Sequence, residues 1–280
     1  MRTKTNQNTE KTAVSRQQLS QLFSGNLFNF IFRGIGELGA MAQLMAQALL
    51  MAFRSPLRLR LIFQQAEFVG VGSIFIIVLT GFFTGAVFTL QSVTGLARVG
   101  MESLVGSMVM LAVARELGPV LTALMVTGRV SSAMATELGT MRVTEQIDAL
   151  EVMAIDPVKY LISPRIIAGA VMVPALTLIF TMVAGIGSYL VAVVMMGIDE
   201  GAYLSRIEWY LDPYDFRQGF LKSIAFGLVI TLVGCYKGYN ASGGARGVGE
   251  ATTKAVVIGS IAIFLLNYVL TSFLLLFEPK

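Results

Sequence analysis

Long apolar stretches separated by short polar segments dominate the chain. Three windows, residues 68–97, 166–198 and 255–277, contain no Asp, Glu, Lys or Arg. A helix needs about 20 residues to cross the hydrocarbon core of a bilayer, so each window is long enough to form a transmembrane helix. Residues 103–128 and 213–236 are two further apolar stretches that carry a few charges. The pattern predicts an all-α membrane protein with five transmembrane helices.

The stretch before the first predicted span is less uniform. Four polar residues interrupt an apolar, helix-forming sequence in residues 27–53: Arg33, Glu37, Gln43 and Gln47. This pattern favours an elbow helix lying in the membrane interface over a sixth span. We therefore divide the chain into a flexible cytoplasmic tail (1–20), an elbow-helix region (21–67) and a transmembrane domain (68–277) with spans at about 68–95, 103–134, 164–198, 213–236 and 255–277.

Acidic or hydroxyl residues before proline mark two predicted helix starts. Asp212 precedes Pro213 and is followed by Asp215, while Ser163 precedes Pro164. An Asp or Ser at the N-cap with proline at the next position is typical of a helix N-terminus. We expect the third and fourth spans to begin at these two positions.

Composition agrees with a lipid-embedded chain. Charged residues make up 14% of the sequence, whereas soluble domains have about a quarter, and the mean hydropathy is +0.72. With no His and one Cys, the sequence excludes Ser-His and Cys-His catalysis, the commonest metal sites and an intrachain disulfide. The net charge of +4 does not indicate nucleic-acid binding, because the basic residues fall between apolar runs rather than in one patch.

The distribution of Lys and Arg predicts the orientation of the chain. Most of them lie before the first span and in residues 137–165 and 237–254, whereas the alternate connections and the C-terminus hold only Arg98, Arg206 and Lys280. Cytoplasmic segments of membrane proteins carry the excess of basic residues. We therefore expect a cytoplasmic N-terminus and a C-terminus on the opposite side of the membrane.

Two adjacent charges, Arg115 and Glu116, lie near the middle of the second predicted span. A charge at the bilayer centre costs at least ~2.5 kcal/mol, and neighbouring residues on a helix point about 100° apart, so each charge needs its own partner. Pro119 cannot donate a hydrogen bond to the Arg115 carbonyl and is expected to kink the helix. Two interpretations stay open: the pair lines a cavity, or it forms a structural ion pair in which Arg217 or Lys222 is the partner of Glu116.

A polar stripe along the second span favours the cavity. Arg115, Thr122 and Arg129 are spaced by seven residues, which places them on one face of a regular α-helix, with Ser132 and Thr136 close by. A polar helix face is typical of elements that line an internal cavity. We therefore expect these side chains to face a common space.

Residues 136–157, between the second and third spans, are polar but keep helical periodicity. Four apolar residues recur at helical spacing: Val143, Ile147, Leu150 and Ala154. Acidic residues outweigh Arg142 in this segment, and an anionic membrane surface would attract the opposite charge balance. The segment therefore predicts an amphipathic cytoplasmic helix that binds a protein partner.

A long signature in the centre of the chain resembles a known family. Residues 114–165 read ARELGPVLTALMVTGRVSSAMATELGTMRVTEQIDALEVMAIDPVKYLISPR, which is similar to MlaE-type permeases, the membrane subunits of ABC transporters that move phospholipids in Mla and other Mce-type systems. A looser similarity covers residues 57–277. The resemblance implies a homodimer in the bacterial inner membrane, two cytoplasmic ATPase subunits beneath it, a periplasmic Mce-domain lipid-binding protein above it and a phospholipid as substrate.

The same resemblance implies roles for particular residues. Residues 136–153 would form the coupling helix, and four residues would contact the ATPase: Glu137, Arg142, Glu145 and Gln146. Four others would line the lipid pocket: Arg115, Glu116, Phe88 and Leu90. The chain itself is expected to hold no cofactor or metal, and ATP and Mg²⁺ would belong to the partner ATPase. In agreement, the sequence contains no GxxxxGK[ST] motif.

Two further functions stay open at this stage. An ABC transporter with this membrane subunit could expel small hydrophobic compounds. Alternatively, a carboxylate inside a span near a proline is also what a proton relay uses, so Glu116 could serve a proton-coupled secondary transporter. Such a transporter would work without ATP, which separates it from the first two functions.

Overall fold

The structure is a computed structural model that describes residues 34–52 and 58–276. Within these ranges the chain is helical and contains no strand, which confirms the all-α prediction. The chain forms two units, Met1–Ala46 and Gln47–Lys280. Of the first unit only residues 34–46 are described, as the first part of helix α1 (Gly34–Ala52). The predicted tail and the beginning of the predicted elbow helix lie outside the described residues.

Ten helices follow α1 in the described part of the second unit. They are α2 (Leu59–Val69), α3 (Val71–Leu96), α4 (Val105–Ala112), α5 (Gly118–Val126), α6 (Ser132–Val143), α7 (Gln146–Val152), α8 (Ser163–Tyr189), α9 (Glu200–Tyr210), α10 (Pro213–Tyr239) and α11 (Gly244–Leu275). Short π-helical segments join α4 to α5 (Val113–Leu117) and α5 to α6 (Thr127–Ser131), and flank α8 (Val158–Ile162 and Leu190–Met195).

Six helical stretches of the described residues are long and apolar enough to cross a membrane: Gly34–Ala52, Leu59–Leu96, Glu102–Val143, Val158–Met195, Pro213–Tyr239 and Gly244–Leu275. Five of them overlap the five predicted spans. The chain is therefore a multi-pass membrane protein. The sixth stretch is α1, which qualifies by length and composition, and its predicted position in the membrane interface stays a prediction.

Helix α10 occupies the centre of the second unit, where it packs against α5, α6, α8 and α11. Helix α3 packs on α8. These two helices approach closely because Gly81 and Gly85 lie against the α8 backbone at Phe180 and Ala184, where a Cβ on Gly85 would overlap the Ala184 carbonyl group. Small residues at such contacts let two helices pack tightly within a membrane.

One of the two predicted helix starts is confirmed and the other is wrong. At the start of α10, Asp215 Oδ2 accepts a hydrogen bond from Asp212 N at 2.9 Å, as part of a reciprocal capping box. The third span, in contrast, is already helical before Ser163. It begins with the π segment at Val158, whose N–H group donates to Asp156 Oδ1 at 2.9 Å. Asp156, about two turns before Ser163, thus supplies the cap that was predicted for Ser163.

The segment predicted as one coupling helix, residues 136–153, forms two helices. Helix α6 ends at Val143, and α7 begins at Gln146. Between them Glu145 has a φ of 58°, a left-handed conformation that interrupts an α-helix. Thr144 also bonds back into α6, with its hydroxyl donating to Thr140 O at 2.8 Å. The prediction of a continuous helix is therefore wrong. The apolar periodicity continues across Glu145 and does not reveal the break.

Candidate functional site

Arg115 and Glu116 lie in the π-helical segment that joins α4 to α5. A π turn holds one residue more than an α turn, and such turns are frequent at functional sites. The two side chains contact different partners, as their angular separation on the helix predicts. Arg115 contacts the beginning of α10, and Glu116 contacts the middle of α10 together with α11.

Arg115 forms an ion pair with a residue that was not among the predicted partners. Its Nε atom lies 2.5 Å from Asp215 Oδ1, and the Asp215 side chain is 1% exposed. The same carboxylate caps the start of α10. Asp215 and Lys222 are seven residues apart and therefore share one face of α10. In the sequence, the only hint of these contacts was that one face of α10 carries an acidic and a basic residue, which could pair with the basic and acidic residues Arg115 and Glu116.

Glu116 pairs with Lys222, one of the two partners that the ion-pair interpretation names. Glu116 Oε1 lies 2.6 Å from Lys222 Nζ, and the Lys222 side chain is fully buried. Two residues of α11 complete the contacts of the carboxylate: Asn267 Nδ2 donates to Oε2 at 3.0 Å, and Thr271 Oγ1 donates to Oε1 at 3.1 Å. The other named candidate, Arg217, is exposed and stacks on the Tyr214 ring.

Lys222 also contacts the backbone opened by Pro119. Its Nζ atom donates to Arg115 O at 3.1 Å, the carbonyl for which Pro119 has no N–H group. A third hydrogen bond goes to Thr271 Oγ1 at 2.8 Å, so all three donors of the buried ammonium have an acceptor. We call these residues the membrane cluster: Arg115, Glu116, Asp215, Lys222, Asn267 and Thr271.

The polar stripe predicted for the second span does not face one common space. Arg129 Nη1 donates to Phe68 O and to Ser73 Oγ, both at 2.9 Å, at the junction of α2 and α3. Arg115 contacts α10 instead, and Thr122 is fully buried with no hydrogen-bond partner among the described residues. The prediction is wrong because the two π segments of this span shift its helical register.

An apolar groove of about 600 Å³ runs along α3. It is lined by Leu79, Thr80, Phe83, Thr84, Val87, Phe88, Gln91 and Leu117. Leu117 follows Glu116 directly, so the groove reaches the segment that carries the membrane cluster. Of the residues predicted for a lipid pocket, Phe88 lines this groove, Leu90 is exposed outside its lining, and Arg115 and Glu116 belong to the adjacent cluster. Their role in lipid binding stays a prediction.

The four residues predicted to contact an ATPase lie in or beside α6 and α7: Glu137, Arg142, Glu145 and Gln146. Glu137 forms an ion pair at 2.7 Å with the buried Arg165 of α8. Arg142 pairs with Asp148 at 2.6 Å, and Gln146 Nε2 donates to Thr144 Oγ1 at 3.1 Å. Glu145 is exposed. These contacts order the segment, while binding of an ATPase stays a prediction.

Ile147 alone keeps the buried position predicted for the apolar side of this segment. It is fully buried, whereas Val143 and Ala154 are exposed and Leu150 is half-buried. Val152 and Met153, at the end of α7, are also exposed. Helix α7 therefore buries one apolar side chain and presents other apolar groups outward.

The part of the chain that the structure describes holds no group of three or more His, Cys, Asp or Glu side chains placed to bind a metal ion. Cys235 is a free, buried thiol in α10. The membrane cluster is thus built from ion pairs and hydrogen bonds alone. Its chemistry suits the recognition or positioning of a charged group.

Comparison with known proteins assigns the family. Residues 62–273 match the family described as Permease MlaE. A probable ABC transporter permease protein of Rickettsia felis is 47% identical over 218 residues, which cover 78% of this chain and 84% of the relative. The intermembrane phospholipid transport system permease protein MlaE of Haemophilus influenzae is 37% identical over 216 residues, 76% of this chain and 82% of the relative. The chloroplastic protein TRIGALACTOSYLDIACYLGLYCEROL 1 of Arabidopsis thaliana is 37% identical over 265 residues, 95% of this chain and 75% of the relative. The chain therefore belongs to the MlaE family of ABC transporter permeases.

Proposed function

We propose that this permease moves phospholipids between a bacterial inner membrane and a periplasmic Mce-type carrier protein. It would act as a homodimer, and a separate cytoplasmic ATPase subunit would bind ATP and Mg²⁺ and hydrolyse the nucleotide. The observation that carries the proposal is the apolar groove on α3, which reaches Leu117, the residue next to Glu116 of the membrane cluster. The name of the Haemophilus influenzae relative supports a phospholipid as the substrate.

The groove has the size and polarity that an acyl chain requires. Its volume of about 600 Å³ falls within the usual range for ligand pockets, about 300–1,000 Å³. Apolar side chains form most of its lining, with Phe83 and Phe88 as the largest. It opens on one side of α3, so a second copy of the chain could close it around the lipid.

In this proposal Arg115 would meet the phosphate of the headgroup. Its side chain is 26% exposed although it lies in a membrane span, and Asp215 holds its Nε atom. A guanidinium group matches phosphate oxygens with parallel N–H donors. Glu116 acts as a positioning residue, because it orients Lys222, which in turn holds the Arg115 carbonyl.

Helices α6 and α7 connect this site to the ATPase. Helix α6 belongs to the same helical stretch as Arg115, Glu102–Val143, and α7 follows it directly. A displacement of α7 by the ATPase would therefore move the span that carries the membrane cluster. Such coupling of a nucleotide cycle to a packed helix would close the groove and expel the lipid.

The test is to purify the chain with its genomic neighbours and to compare Arg115→Ala with wild type. We expect at least a tenfold loss of bound phospholipid and of lipid-stimulated ATP hydrolysis, since a charge-assisted hydrogen bond contributes about 1.5–3 kcal/mol. Arg217→Ala removes an exposed arginine near Asp215 and is the matched control, expected to match wild type. Unchanged lipid content and ATPase activity in Arg115→Ala would overturn the pocket role.

A second variant separates lipid binding from folding. Arg115→Ala leaves the buried Asp215 carboxylate without its arginine, so the double variant Arg115→Gln with Asp215→Asn removes both charges together. A folded double variant that still loses lipid supports the headgroup role of Arg115. The same complex separates the alternatives: transport driven by a proton gradient without ATP would favour a secondary transporter, and release of small hydrophobic compounds in place of lipid would favour efflux.

A further inference from the structure

A second groove lies at the beginning of α2, far from the membrane cluster. Its volume is about 590 Å³, and it is lined by Arg58, Leu59, Arg60, Leu61, Gln64 and Tyr160. Helix α2 begins the span Leu59–Leu96, and Tyr160 lies at the beginning of the span Val158–Met195. Because the intervening span returns the chain to the same side, this groove lies at the end of the second unit that carries α7.

The groove presents cations without an acidic partner. The Arg58 guanidinium lies over the Tyr160 ring, 4.7 Å from its centroid, and a stacked guanidinium keeps its N–H donors available in its plane. Arg60 forms no hydrogen bond or ion pair with the residues that the structure describes. Among the described residues no carboxylate lines the groove, and the nearest acidic residue on α2, Glu67, lies about two turns beyond Arg60. Asp156, one turn before Tyr160, is not in the lining, and its carboxylate accepts hydrogen bonds from the N–H groups of Val158 and Lys159. The site therefore suits an anion.

Apolar side chains beside the cations indicate an amphiphilic anion. Leu59 and Phe63 are both exposed and lie one turn apart on the same face of α2. Gln64 adds an amide next to Arg60 within the groove. A soluble anion would use the arginines alone, whereas a lipid would also cover this apolar face. Basic pockets between transmembrane helices on the cytoplasmic side bind anionic headgroups in this way.

We propose that this groove binds the phosphate of an anionic phospholipid from the leaflet on the α7 side, with the acyl chains lying along Leu59 and Phe63. The site is separate from the groove at Phe88, because Arg60 and Phe88 are roughly 40 Å apart along the helical path of α2 and α3. The bound lipid would hold the start of the first span against the start of the third. This proposal does not depend on the transported substrate.

The experiment introduces a photoreactive side chain at Gln64 of the full-length chain, reconstituted in phosphatidylcholine nanodiscs that contain labelled phosphatidylglycerol. We expect crosslinking of phosphatidylglycerol at this position, and a fall of about tenfold in the double variant Arg58→Gln with Arg60→Gln, since two charge-assisted contacts are lost. Arg206→Gln, which removes an exposed arginine of α9, is the matched control and should crosslink as wild type does. Arg60→Lys should retain part of the signal, because it keeps the charge but loses the planar fork.

Three results would overturn the proposal. The double variant could crosslink as strongly as wild type, labelled phosphatidylcholine could crosslink as strongly as phosphatidylglycerol, or inorganic phosphate at an equal concentration could abolish the signal. The last result would show that free phosphate is the ligand rather than a lipid headgroup. Failure of the proposed transport function is distinguishable, because Arg115→Ala lies outside this groove and should leave the crosslink at Gln64 unchanged.

Discussion

The stretch Glu102–Val143 bears an ion pair of nearly the same geometry in its middle and at its end, and the two pairs differ in burial. Glu116 and Lys222 are 2.6 Å apart; Lys222 is fully buried, whereas the Glu116 side chain is 37% exposed. Arg142 and Asp148 are also 2.6 Å apart, but their side chains are 37% and 51% exposed. The distance between the charged atoms therefore does not show which ion pair contributes more to stability. The burial of the two side chains decides it.

The difference follows from solvation. A charge inside the bundle has lost its hydration, so removing its partner leaves an uncompensated charge and costs about 3–5 kcal/mol. A charge at the surface returns to water when its partner is removed, and such pairs contribute about 0–1 kcal/mol. The membrane cluster should therefore support the fold, whereas the Arg142–Asp148 pair should be dispensable for folding and available for binding.

The largest effect is expected for Glu116→Gln. This change leaves the fully buried Lys222 ammonium without its carboxylate, and we expect the free energy of unfolding to fall by about 3–5 kcal/mol. The measurement is denaturant unfolding of the purified chain in mild detergent. Arg217→Met, at an exposed position of α10, the helix that carries Lys222, is the control and should change stability by less than about 0.5 kcal/mol.

A double variant tests whether charge is the cause. Glu116→Gln combined with Lys222→Met removes both charges, so most of the lost stability should return. If Glu116→Gln alone unfolds at the same denaturant concentration as wild type, Lys222 does not depend on Glu116 for its stability in the bundle. The inner pair would then contribute no more to stability than the exposed pair.

Much of this arrangement could be predicted from local sequence. Charge-free windows locate the spans, and Asp212 with Asp215 predicts the start of α10. Lys222 is among the two partners that the sequence offers for Glu116. The ion pair between Arg115 and Asp215 could not be predicted in the same way, because it depends on how α10 packs. Gly219 lies against the Ala114 carbonyl, where a Cβ would overlap it, and this contact brings the two helices together.

Two errors arise from assuming a regular helical period. The π segments Val113–Leu117 and Thr127–Ser131 each shift the register, so residues spaced by seven do not share a face. The break at Glu145 separates α6 from α7 although the apolar spacing continues across it. Both features depend on tertiary contacts or on a strained residue, which a pattern of polar and apolar positions does not record.

Glu145→Gly is expected to raise the free energy of unfolding, by an amount between the effects of the buried and the exposed ion pair. Glycine adopts a φ of 58° without the Cβ penalty, so the variant should be more stable than wild type by about 1 kcal/mol. Denaturant unfolding measures the gain, and Thr144→Gly, which changes the preceding residue at a negative φ, is the control and should destabilise. A loss of stability in Glu145→Gly would contradict the assigned backbone conformation. If the Glu145 carboxylate contacts the ATPase, this more stable variant should still show reduced lipid-stimulated ATP hydrolysis. Glu145→Lys should reduce that activity further.

The smallest effect on stability is expected for the exposed pair. Arg142→Ala and Asp148→Ala should each lower the free energy of unfolding by about 0–1 kcal/mol, and a double-mutant cycle should give a coupling energy in the same range that shrinks at high salt. A coupling energy comparable to that of Glu116 and Lys222 would remove the contrast between the two regions.

The two single variants also separate folding from binding, because both break the ion pair and only one removes the arginine. If Arg142 contacts the ATPase, Arg142→Ala should weaken co-purification of that subunit, while Asp148→Ala should leave it intact. Equal losses in both variants would assign the effect to the shape of the turn between α6 and α7 rather than to the arginine.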